Sequence, residues 1–303
     1  MLSCLKSATG QKYTFADSDR LGAGAFGDVY LGTIWGTDKK VAIKRINNSV
    51  LERYGEEFVR CIGNEANLLQ EMNFNEKTVK IYDCFQTPNH VCIIMEFCEG
   101  GTLEKIVKNN GGKLNEKAAV GYLAEIVEGL YVMHSRGFMH RDLKLENIFI
   151  KDGKCKIGDF GFATSKPISD QYCGTPYYMA PEMFEVGDGR GYDKQVDIWA
   201  LGVMFHEMLF GERPYVGPQT QLLDIIKKNP YKAPNFVQIS DESKDLLGKM
   251  LTIDPKKRIT VKEIIKHPVF QKVGVSLSIS DVSSPMMSSI NGSMDSSSWQ
   301  GKT

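Results

Sequence analysis

Residues 138–150, FMHRDLKLENIFI, crowd Asp142, Lys144 and Asn147 between two apolar flanks. A core strand does not carry such polarity, and a plain surface loop does not need such anchors. The arrangement suits a short turn that holds a carboxylate, an ammonium and an amide at fixed positions. Further upstream, LGAGAFGDV at 21–29 sets Gly22, Gly24 and Gly27 ahead of Val29. Such glycines let a hairpin bring its N–H groups against phosphates, although an ordinary hairpin has the same composition. A strand follows them rather than a helix, which argues against a dinucleotide fingerprint. VAIK at 41–44 ends an apolar strand in Lys44. That lysine is either a solvated tip or the partner of Glu65. A buried Lys44–Glu65 pair would add little net stability, so it would point to positioning of phosphates.

The elements that must position these groups fall into two halves. YTFADSDRL, GAGAFGDVYLGTI and KKVAIKRI alternate as strands, and VKIYDCF and HVCIIMEF add two more. Between them GEEFVRCIGNEANLLQEM has helical spacing, with Phe58, Ile62, Glu65 and Leu69 on one face. Gly63 inside it costs about 1 kcal/mol against Ala. A small, mostly antiparallel sheet with one helix is expected. After CEGG at 98–101 the pattern turns helical. EKAAVGYLAEIVEGLYVMHSRG carries a long apolar stripe, and QVDIWALGVMFHEMLFG is apolar nearly all round, as a buried central helix would be. Shorter helices are expected near 219–228, 241–251 and 260–266. The boundaries drawn are an extension at 1–14, a first lobe at 15–97, a second at 98–271 and a Ser-rich tail at 272–303. The tail has too few large aliphatic residues to fold and is expected to be disordered.

The 303 residues carry 37 basic and 37 acidic side chains, 42% apolar and 24% charged. Zero net charge lowers the case for a general nucleic-acid binder or a membrane-surface protein. No run approaches the ~20 apolar residues of a membrane span, and the first residues have no signal-peptide block. The seven cysteines show no C-x-x-C pair and no metal rhythm. Such a set suits reduced thiols in a cytoplasmic, or alternatively nuclear, protein.

HRDLKLEN at 140–147, GDFG at 158–161 and APE at 180–182, together with the glycine loop and VAIK, resemble the protein kinase signature set in order and spacing. The resemblance covers about residues 15–270. It implies an α+β, two-lobed protein kinase fold, with a small antiparallel sheet plus one helix in the N-lobe and a mainly helical C-lobe. It further implies a Ser/Thr protein kinase that uses ATP and Mg²⁺ on protein substrates. On that resemblance Lys44 holds the α and β phosphates and pairs with Glu65. Asp159 and Asn147 are the metal ligands, Asp142 orients the hydroxyl and accepts its proton, and Lys144 balances charge at the γ-phosphate. Leu21, Gly22, Gly24, Gly27, Val29 and Ala42 cover the nucleotide, and Phe149 forms the floor of its pocket. Met95 lies at the back, and the backbone of Glu96 and Cys98 meets adenine. Phe160, His140, Leu69 and Ile81 stack as a column linking the lobes. Asp197 holds the catalytic-loop backbone, and Glu182 pairs with Arg258.

Lys144, and Thr175 bonded to Asp142 and Lys144, imply Ser/Thr rather than Tyr acceptors. Arg141 implies a site for an activation-loop phosphate, but Gln171 stands where the acceptor usually is. Asp170 supplies charge in its place, or Ser169, Tyr172, Thr164 or Ser165 is the acceptor. Activity that does not strictly require loop phosphorylation is therefore expected. Glu146 and Glu99 either favour basic substrate residues or are merely solvated. The segments are loosely similar to the calmodulin-dependent/AMP-activated group and to the autophagy-initiating kinases. An upstream kinase or regulatory protein stays unidentified. A pseudokinase, the same fold used as a nucleotide-sensing scaffold, is the alternative. It is disfavoured because Lys44, Asp142, Asn147 and Asp159 are all present.

Overall fold

The computed structural model describes residues 2–7, 9–24, 27–49, 73, 75–187 and 189–278. The helix expected at 55–72, with Gly63, Glu65 and Leu69, lies outside the described residues, as does the tail beyond 278.

β-branched and aromatic residues alternate through the first half and build one six-stranded antiparallel sheet. Its strands are β1 (Leu2–Lys6), β2 (Lys12–Gly24), β3 (Gly27–Ile34), β4 (Lys40–Asn47), β5 (Ile81–Gln86) and β6 (His90–Glu96). The spatial order is β1-β2-β3-β4-β6-β5. β1 falls within the stretch set apart as an extension; it pairs Leu2–Lys6 against Lys12–Ala16 and lengthens the sheet. Successive side chains leave opposite faces of a strand. Val41 and Ile43 therefore join Tyr13, Phe15, Tyr30, Phe85, Cys92 and Ile94 in one core. Ile46, Ile81, Cys84, Val91 and Ile93 join the main core of the molecule.

The second half is helical apart from a hairpin, β7 (Ile148–Lys151) and β8 (Lys154–Ile157). Its helices are α1 (Leu103–Asn109), α2 (Glu116–Ser135), α3 (Gln195–Phe210), α4 (Leu222–Lys228), α5 (Asp241–Met250), α6 (Val261–Ile265) and α7 (Pro268–Lys272). Polar side chains cap several starts. Asn115 accepts from the Ala118 amide and Ser240 from the Ser243 amide, and Thr260 with Glu263 forms a capping box. α3 buries every residue except Glu207, as its all-round apolar sequence requires.

The lobes are joined through backbone and charge. The Val79 amide donates to Ile157 O at 2.9 Å and the Ile157 amide to Lys77 O at 2.8 Å. Glu96 meets Lys156 at 3.1 Å. Residues 273–278, assigned on sequence to the disordered tail, lie on the C-lobe instead. Val273, Val275 and Leu277 pack on its core, and the Ser278 amide donates to the Glu128 carboxylate. Three alternating apolar residues suffice to dock a short extended segment onto an existing core. Among the described residues all six cysteines are free thiols, and no helix is long and apolar enough to cross a membrane.

Candidate active site

The catalytic turn hangs on a carboxylate buried beneath it. Asp197, in the first turn of α3, is fully buried. It accepts the His140 amide at 2.9 Å, the Arg141 amide at 2.8 Å and the His134 ring at 2.9 Å. Burial opposes ionisation there, but these donors outweigh it and hold the carboxyl below its ordinary range. The clamp keeps Arg141 at φ 69°, a conformation that non-glycine residues rarely adopt. That bend aims the next residue, Asp142, at the cleft. The apolar flanks do the rest. Leu143, Leu145 and Ile148 are buried, and the His140 and Phe160 rings lie 5.2 Å apart. Of the column expected to link the lobes, Phe160 and Ile81 are buried in the same core and His140 lies against Phe160. Leu69 is outside the described residues.

Asp142, Lys144, Asn147 and Thr175 form one network. Lys144 Nζ donates to Asp142 Oδ2 at 2.9 Å and to Thr175 Oγ1 at 2.8 Å. Thr175 Oγ1 donates to Asp142 Oδ1 at 2.7 Å. Asn147 Nδ2 donates to the Asp142 carbonyl at 2.8 Å and to its Oδ2 at 3.2 Å. Across the cleft Lys44 Nζ donates to Asp159 Oδ1 at 2.9 Å. Burial raises the Asp159 pKa, and Lys44 together with His140 and Lys144 more than reverses this, so the carboxyl is held below its ordinary range. Asp159 also sits at positive φ, 56°. The expected Lys44–Glu65 pair lies outside the described residues.

The strand hairpin expected to cover a nucleotide is present. Gly22 pairs with Val29 and Gly24 with Gly27. A Cβ on Gly27 would sit 2.0 Å from the Arg45 carbonyl, so only glycine lets these backbones approach. Val29 faces Lys44 across the β3–β4 ladder, and Ala42 faces Met95 across β4–β6. Leu21 is exposed, while Val29, Ala42, Met95 and Phe149 are half-buried. After β6 the Cys98 amide donates to no backbone carbonyl among the described residues. Desolvation pushes the Cys98 thiol up to about 12, so it stays a neutral packing group. The Glu96 side chain is engaged with Lys151 and Lys156, which leaves only backbone for a ligand.

The donor set suits ATP with Mg²⁺. Among the described residues no group of three or more His, Cys, Asp or Glu side chains gathers as a metal cage. Mg²⁺ needs none, since it binds through one or two carboxylates plus substrate phosphates and water. Asp159 and Asn147 offer hard oxygen atoms, and among the described residues no backbone carbonyl takes the Cys98 amide.

The activation segment departs from its expected switch. Arg141 Nη1 donates to Ser169 Oγ at 2.8 Å, to Gln171 Oε1 at 3.0 Å and to Tyr192 OH at 3.5 Å, and Arg141 Nε donates to the Phe162 carbonyl. Tyr192 OH donates back to Gln171 O at 2.6 Å. Every acceptor is neutral. Asp170, expected to supply charge here, is exposed and pairs with no cation among the described residues. Tyr192 was not legible as part of this clamp: it stands in no motif, and only the two-residue bridge between Ser169 and Tyr192 brings it there. Glu99 accepts the Asp152 amide at 2.8 Å and ties the segment after β6 to the β7–β8 turn. Below the site Arg258 meets Glu182 with two bonds, 2.7 and 3.0 Å.

These elements define a protein kinase domain, and the comparisons agree. The protein kinase domain family matches residues 15–270, and the chain belongs to that family. It is 33% identical over 267 residues to serine/threonine-protein kinase PAK 4 of Homo sapiens, covering 86% of this chain and 43% of that protein. It is 35% identical over 264 residues to protein kinase C delta type of Homo sapiens, covering 85% and 38%. It is 33% identical over 261 residues to myosin light chain kinase A of Dictyostelium discoideum, covering 82% and 85%. The chain thus spans about two fifths of the length of the first two relatives and most of the third. Nothing in these matches favours the pseudokinase alternative.

Proposed function

We propose that this chain transfers the γ-phosphoryl group of ATP to Ser or Thr hydroxyls of protein substrates. One observation carries the proposal: Asp142, Lys144, Asn147 and Thr175 share a single hydrogen-bonded network facing Lys44 and Asp159. Phosphoryl transfer asks mostly for positioning and charge neutralisation. Asp159 and Asn147 would hold Mg²⁺, which when bound neutralises phosphate charge. Lys44 would neutralise the remaining phosphate oxygens. Asp142 orients the incoming hydroxyl and takes its proton at a carboxylate oxygen. Lys144 offsets the charge that develops beside it, and Thr175 fixes both groups. The glycine hairpin, Phe149, Val29, Ala42 and Met95 would hold the nucleotide, and the Glu96 and Cys98 backbone would meet adenine. The similarity to proteins named as serine/threonine kinases supports the acceptor class. The free thiols support a cytoplasmic or nuclear setting.

Asp142→Asn tests the assignment. Phosphorylation of a peptide array should fall by about 100- to 10,000-fold, while nucleotide affinity by calorimetry stays within error. An Asp142→Asn enzyme that phosphorylates the array at the wild-type rate would refute it.

A further inference from the structure

A cavity in the C-lobe lies away from the catalytic turn and has no part in the mechanism above. It lies between the end of α3, the loop 212–217, α4 and residues 229–234, and has a volume of about 520 Å³. That is within the range that holds a ligand or several side chains. Its walls are apolar and aromatic, chiefly Tyr215, Ile225 and Tyr231 with Pro214 and Pro230. Tyr215 is only 7% exposed and stacks on Trp199 at 5.8 Å. The buried hydroxyls of Tyr215 and Tyr231 have no hydrogen-bond partner among the described residues. Both oxygens are closed off from solvent, so they belong to the wall behind the groove and not to its open surface.

The rim adds charge of one sign. Lys228 and Lys232 line the cavity, are exposed, and meet no carboxylate among the described residues. Arg213 also lines the cavity but pairs with Glu207 at 3.8 Å, so the unpaired charge of the rim is that of the two lysines beside Glu212. Val216, also in the lining, is 66% exposed.

This rim is also tied to the substrate side of the activation segment. Tyr177 OH donates to the Gly217 carbonyl at 3.2 Å. The Arg213 guanidinium lies 5.0 Å from the Tyr177 ring and 5.3 Å from the Tyr178 ring. Tyr177 is two residues from Thr175, which touches Asp142.

We propose that this groove docks an acidic segment of the protein substrate, anchored by one apolar side chain, at a distance from the hydroxyl that is phosphorylated. The apolar side chain fills the space over Tyr215 and Ile225. Its flanking acids meet Lys228 and Lys232. Complementary charge at such a rim sets partner choice and encounter rate more than raw affinity. The proposal rests on the kinase assignment above for the identity of the partner, though the binding event itself needs no turnover.

The test is fluorescence anisotropy on the full chain with short labelled peptides that lack Ser, Thr and Tyr. One set has a Phe flanked by Asp and Glu; its counterpart has Lys in place of every acid. The acidic set should bind and the basic set should not. Lys228→Glu with Lys232→Glu should weaken binding about tenfold or more. Asp142→Asn should leave binding unchanged, so that loss of catalysis and loss of docking are read separately. Joined through a flexible linker to a Ser acceptor, the acidic segment should lower KM and leave kcat alone. Absence of binding, equal binding of the basic set, or indifference to the lysine reversals would overturn the proposal. So would a marked gain in affinity on removing residues 279–303, because the chain's own tail would then be the occupant.

Discussion

Gly174 stands at φ 99°, with a position for Cβ only 2.6 Å from the Arg141 carbonyl. No other residue lets the activation segment come so near the catalytic turn, and it is this approach that brings Thr175 to Asp142. Gly174→Ala should cost about 1–3 kcal/mol of backbone strain and displace Thr175. Since a displacement near 1 Å is enough for a loss of about 100-fold, kcat/KM should fall by that order with nucleotide affinity unchanged. Unaltered kinetics would show that Thr175 is not needed where it sits. Asp197 makes the second residue-scale prediction. Its folded pKa lies below the ordinary 3.8 because His134 and the loop amides outweigh burial. A depressed carboxylate contributes stability that is fully present above the unfolded value and is lost as pH falls through the folded one. The Asp197 contribution should therefore be constant at neutral pH and disappear below about pH 4. A chemical-denaturation series on wild type and Asp197→Asn should show the two curves converging in that acid range. A gap that persists unchanged through it would contradict the assignment.

The activation segment from Phe162 to Gly174 is held as an element by Arg141 and Tyr192, with neutral acceptors throughout. A guanidinium satisfied by amide, hydroxyl and carbonyl oxygens needs no phosphate to order the segment. Phosphatase-treated enzyme should keep its activity. Gln171→Ala removes one of the acceptors and should lower kcat/KM by about tenfold, the kinetic equivalent of one lost buried hydrogen bond. If dephosphorylation alone abolishes activity, a phosphate must be supplementing these contacts. The sequence made the question visible through Gln171 but suggested Asp170 as the substitute charge. Asp170 follows Ser169 on an exposed turn, and the ladder between Ser169 and Tyr192 points Ser169 inward while leaving Asp170 outside. Side-chain direction of that kind depends on a pairing across 23 positions of sequence, which local pattern does not carry.

Across the whole molecule, what was legible follows the same rule. Strand alternation, the all-apolar α3 and the polar turn with its flanks are local signals, and each corresponds to an element in the structure. The catalytic network was legible because family resemblance supplied the long-range pairing that periodicity lacks. The two ends were not. β1 is stabilised by the existing edge of β2, and residues 273–278 by a core built from distant helices, so neither segment shows strong order by itself. A chain ending at Lys272 would follow the sequence boundary, and it should suffer for it. Half-burial of Val273, Val275 and Leu277 is worth about 2–4 kcal/mol together. The loss also takes the Ser278 amide from Glu128, a buried carboxylate that otherwise keeps Lys77 at 2.7 Å. Lys77 carries the carbonyl that receives the Ile157 amide, so weakening there reaches the joint between the lobes. At this chain length the melting temperature should drop by about 5–10 °C relative to a chain ending at Ser278. Equal melting of the two chains would mean that the segment lies on the C-lobe without stabilising it.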